Sequence, residues 1–89
     1  MRHSLKQDKN TRWKFTETLE FTDAYPNPTK IKLEAKWEMA GGVLRRTGES
    51  IADKLRARSF NDAASYYEKV YSRENIQELA VMMLMGEIK

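Results

Sequence analysis

A chain of 89 residues with no cysteine has the size of one small domain, and it excludes a disulfide framework and a thiolate metal site. Its 16 Lys and Arg against 13 Asp and Glu leave a net charge of +3, which permits contact with nucleic acid without demanding it. The longest apolar run, residues 79–85, is far short of the roughly 20 residues that span a bilayer. With no apolar stretch near residue 1 to act as a secretory signal, the cytoplasm is the expected compartment and a membrane is not an expected partner.

Residues 1–11 are polar and rich in cations, and read as a flexible basic arm ahead of a single α+β domain over 12–89. Residues 12–22 alternate. Trp13, Phe15, Leu19 and Phe21 point one way, and Lys14, Thr16, Thr18, Glu20 and Thr22 the other, which predicts a strand. Tyr25-Pro26-Asn27-Pro28 breaks it with a loop. Residues 30–40 alternate again, with Ile31, Leu33, Ala35, Trp37 and Met39 on one face. Gly41-Gly42 suits a two-residue hairpin turn into a short third strand over 43–47. The alternative is a helix that starts at Val43.

The charges fix a register. Placing Phe21 opposite Ile31 sets Leu19 against Leu33, Phe15 against Trp37 and Trp13 against Met39. It also pairs Glu20 with Lys32, Lys14 with Glu38 and, across the glycine turn, Glu38 with Arg45, so each of these charged pairs is of opposite sign. A slip by one residue would mix the two faces.

Past residue 50 the period lengthens to that of helices. The first is predicted over 50–58, capped by Ser50 or Thr47, with Ile51, Ala52 and Leu55 inward. The second, over 61–71, follows Ser59 with Asp62 in a capping arrangement and turns Ala63, Tyr67, Val70 and Tyr71 to one side. The third, over 73–85, is capped by Ser72, stopped by Gly86, and carries a core stripe of Ile76, Leu79, Ala80, Met83 and Leu84. The expected fold is α+β: an N-terminal antiparallel three-stranded meander packed against two or three C-terminal helices.

Few residues offer chemistry. His3 is the one histidine and falls in the arm, so no Ser-His-Asp set or histidine metal cluster is expected, nor a cofactor. Glu17 interrupts the apolar face between Phe15 and Leu19. An ion pair with Arg46, or a place near the solvated edge, would explain it. No enzyme activity is expected. Val81, Met82 and Met85 fall outside the stripe of the last helix and read as surplus apolar surface for a protein partner or a second copy of the chain. The functional expectation is therefore a non-catalytic protein-binding module that self-associates through its last helix. It could be a regulator or inhibitor of a larger assembly, of the accessory kind found in phages and mobile elements. The alternative is a nucleic-acid-binding protein using Arg2, Lys6 and Lys9 in the arm and Arg12 next to it, with Arg45, Arg46, Lys54, Arg56 and Arg58 on the flanks.

Overall fold

The alternating stretches do form strands, and the computed structural model, which describes residues 1–23 and 28–86, arranges them in one antiparallel sheet. Strands β1 (Arg2–Gln7), β2 (Lys14–Asp23), β3 (Thr29–Ala40) and β4 (Val43–Thr47) lie in the order β1-β2-β3-β4. Helices α1 (Ile51–Ala57), α2 (Asn61–Val70) and α3 (Arg73–Leu84) follow and cover one sheet face. The loop expected at residues 25–28 lies outside the described residues except for Pro28.

The register is the one the charges require. Phe21 faces Ile31, Leu19 faces Leu33, Phe15 faces Trp37 and Met39 faces Leu44, while Glu20 meets Lys32 and Glu38 lies between Lys14 and Arg45. Gly41 and Gly42 both take positive φ, 58° and 77°, as a tight hairpin with the right-handed twist of its strands demands. Residues 43–47 are a strand and not the start of a helix.

Four expectations fail for identifiable reasons. The segment expected to be a flexible arm contains strand β1, so the meander has four strands instead of three. Arg2 pairs with Glu20 and Gln7 with Phe15. Its inward positions are His3, Leu5 and Gln7, and only Leu5 is apolar, so the alternation was hidden by polar side chains that point inward. Trp13 was expected on the buried sheet face and is 49% exposed; it precedes β2, and its backbone is tied to the sheet by its carbonyl accepting from Met39 N at 2.8 Å. Ser59 does not cap α2. It takes φ 66° in the turn after α1, and the capping position falls on Phe60, which supplies no side-chain hydrogen bond. Val70 faces outward, because Ala64 and Tyr67 are the residues of α2 that reach the sheet.

The other caps are as the sequence implies. Ser50 Oγ accepts from Asp53 N at 3.0 Å at the start of α1, and Ser72 Oγ accepts from Asn75 N at 3.3 Å at the start of α3. The core has two parts. Under α1 and α2, Leu19, Ile31 and Leu33 meet Ile51, Leu55, Ala64 and Tyr67. Under α3, Leu5, Phe15, Trp37, Met39 and Leu44 meet Ile76 and Ala80. Helix α3 also occupies the free edge of β4: Arg73 Nη2 donates to Leu44 O at 2.9 Å, and Leu44 N donates to Gln77 Oε1 at 3.4 Å. Both backbone groups of Leu44 are thus taken, which blocks strand addition there.

Candidate functional site

The exposed side of α3 is a graded stripe that continues onto the β1–β2 turn. Positions 74, 78, 81, 82 and 85 recur at helical spacing along it. Its first half is acidic, with Glu74 and Glu78, and its second half is apolar, with Val81 and Met82 each 37% exposed and Met85 68% exposed. Beyond Met85 the β1–β2 turn brings in Trp13. An open groove of about 620 Å³ runs between them, with Trp13, Arg12 and the glycine turn on one wall and Val81, Leu84 and Met85 on the other. Arg12 fixes this corner: its Cζ lies 5.1 Å from the Trp13 ring centroid, and its Nη2 donates to Leu84 O at 3.2 Å. A second groove of about 630 Å³ follows the acidic half from Arg73 to Met82 and shares Val81 with the first. The helical period marks Val81, Met82 and Met85 as apolar positions outside the core stripe, and all three are exposed. It does not reveal the exposure of Trp13, whose alternation with Phe15 counts it as core.

The cations of the alternative reading do not gather into one arm. Arg2 and Lys6 lie on β1 and Arg45 on β4, and all three face the open side of the sheet with Lys14, Lys30, Lys32 and Lys36. Four carboxylates are interleaved with them. Glu20 sits between Arg2 and Lys32 and approaches Lys30 at 3.3 Å, Glu38 sits between Lys14 and Arg45, and Glu34 lies on the same face of β3. Asp8 is the fourth. Its carboxyl is held below the usual range first by the backbone N–H of Asn10, then by that of Thr11, with smaller help from Lys14 and Lys36. Lys9 and Arg12 fall in the β1–β2 turn. Arg46 points to the opposite face, Lys54 donates to Glu34 O, Arg56 pairs with Glu68, and Arg58 ends α1.

Glu17 is buried, with no exposed surface, and its partner is not Arg46. Three other donors converge on it. Trp37 Nε1 donates to Oε1 at 2.8 Å, the Tyr67 hydroxyl donates to Oε2, and His3 Nε2 lies 2.8 Å from the same Oε2. The His3 ring stacks on Tyr71 with centroids 4.1 Å apart. Burial first, and donation to Glu17 second, push the Tyr67 phenol well above its ordinary value, while Arg46 pulls weakly the other way. Every buried side-chain polar atom among the described residues has a partner. Glu17 itself is closed off from solvent, with each carboxylate oxygen occupied. Only the placement of β1 brings His3 to it, so reading His3 as a residue of a loose arm hid the pair.

Among the described residues no group of His, Asp and Glu could hold a metal ion, and no helix is long and apolar enough to cross a membrane. Compared with protein-family models, with curated proteins and with solved structures, the chain matches none of them.

Proposed function

We propose that the chain is a non-catalytic protein-binding module that pairs with a second copy of itself through α3 and Trp13. The observation that carries this reading is the graded stripe on α3, acidic at its start and apolar at its end, with Arg12 beside the apolar end. A two-fold axis near Val81 and Met82 would run two such helices antiparallel. Val81 and Met82 then meet their own copies, Met85 covers the stem of the partner's Glu78, and Glu74 and Glu78 approach the partner's Arg12. A parallel pair would instead set Glu74 and Glu78 against their like.

Light scattering over a concentration series tests it. The expected result is a species of twice 10.4 kDa that dissociates on dilution. Changing Met82→Glu and Met85→Glu together should yield a folded monomer whose unfolding midpoint no longer depends on concentration and matches that of the wild type at high dilution. A wild-type monomer at every concentration would overturn the proposal.

The alternative, a nucleic-acid-binding protein, rests on the seven cations of the open sheet face. It stands second because the four carboxylates share that face and the aromatic side chains Phe15 and Trp37 are packed beneath it, where they cannot stack on bases.

A further inference from the structure

A cleft of about 270 Å³ lies on the helical side of the sheet, between the end of β4 and the starts of α1 and α3. Two arginines reach into it from different elements, Arg46 from β4 and Arg73 from α3. Each is anchored by one nitrogen only: Arg46 Nε donates to Gly48 O at 3.0 Å, and Arg73 Nη2 donates to Leu44 O at 2.9 Å. The remaining guanidinium nitrogens have no carboxylate within ion-pair distance among the described residues. This contrasts with Arg56, which is satisfied by Glu68 across the α1–α2 pair.

Two hydroxyls complete the rim. Ser50 and Ser72 both line the cleft, and each oxygen already accepts a backbone N–H as a helix cap. An accepting hydroxyl keeps its own proton for donation. The rim is therefore a set of donors from three separate elements. The floor is aromatic: Trp37, Tyr67 and Tyr71 line it, and Arg46 lies over the Trp37 ring at 5.9 Å. Glu68 is the one carboxylate on the wall, and its charge is turned toward Arg56.

We propose that this cleft binds a phosphate group, held by the free guanidinium nitrogens of Arg46 and Arg73 and the hydroxyls of Ser50 and Ser72. Planar guanidinium forks match the oxygens of a phosphate, and the apolar floor suits an aromatic ring attached to it. The phosphate is either free or carried on a small aryl ester, and the two sources differ in what they would do to the floor.

The test is a nitrogen-15 NMR titration of the full chain at constant ionic strength, once with inorganic phosphate and once with phenyl phosphate. Saturable shifts are expected at the Trp37 indole N–H and at the backbone amides of Ser72 and Arg73. Tighter binding of phenyl phosphate, with added shifts at Tyr67 and Tyr71, assigns the aryl ester. Equal affinity assigns the phosphate group alone. Arg46→Gln and Arg73→Gln should each weaken binding about tenfold or more, the scale of one charged hydrogen bond. Met82→Glu with Met85→Glu should leave it unchanged, which separates this site from the dimer surface. The wild-type map decides even if an arginine variant misfolds. Shifts that fail to saturate, or that fall on Lys30, Lys32 and Lys36 of the open face, would overturn the proposal.

Discussion

Three donors converge on the Glu17 carboxylate, and together they make a buried charge tolerable. An unpaired carboxylate in this position would be strongly unfavourable, whereas one with its oxygens occupied can be held between two apolar layers. Tyr67 is the donor whose titration reports on the cluster. Its phenol is raised in the folded state by burial first and by Glu17 second, so the folded chain keeps its proton where the unfolded chain loses it. The linked stability is fully present below the unfolded value near 10 and falls as pH rises above it. Urea denaturation should therefore show a midpoint that declines steeply above about pH 10. Tyr67→Phe should flatten that decline and lower stability at neutral pH by about 1.5–3 kcal/mol, the range for a hydrogen bond to a charged group. An equally steep alkaline decline in the Phe variant would show that the slope arises elsewhere.

At the scale of elements, β1 is held by less than its neighbours. It pairs on one side only, and Leu5 is its single buried apolar side chain. Leu5→Ala should cost about 2–5 kcal/mol in that strand's attachment. Hydrogen exchange should then quicken at the β1 amides while those of β3 stay protected, since edge elements open locally before the whole molecule does. Equal acceleration in β3 would show that the sheet opens as one unit. The same strand shows where sequence reading reaches its limit. Strands β2 and β3 were legible because nearly every inward residue is apolar and the outward charges pair in one register alone. The inward side chains of β1 are His3 and Gln7 beside Leu5, and a polar residue facing a polar core residue leaves no mark in the hydrophobic pattern. The helices were legible from period and caps, except where Ser59 adopted a turn conformation that its type does not announce. Of the apolar surface, the methionines could be counted from the helical period. Trp13 could not, because the alternation continues one residue beyond the start of the strand itself.

The whole molecule is built on two core clusters that meet along the row Leu5, Glu17 and Ala35. Leu19, Ile31, Leu55 and Tyr67 form one under α1 and α2, and Phe15, Trp37, Leu44 and Ile76 form the other under α3. Glu17 stands between Phe15 and Leu19 and takes one hydrogen bond from each side, from Tyr67 and from Trp37. Glu17→Ala should thus weaken the coupling of the halves as well as the total stability. Unfolding followed by tryptophan fluorescence and by far-ultraviolet circular dichroism should coincide in the wild type and separate in the variant. Coincident curves in both would show that the seam lies elsewhere. The join also spans the chain: Tyr67 reaches Glu17 across 50 positions, and Arg12 reaches the carbonyl of Leu84 across 72. A sheet is completed by residue 47, yet everything that shelters its greasy side is encoded afterwards. Until α1, α2 and α3 follow, Phe15, Leu33 and Trp37 have no helix to cover them, so the sheet cannot close its core as it is being made.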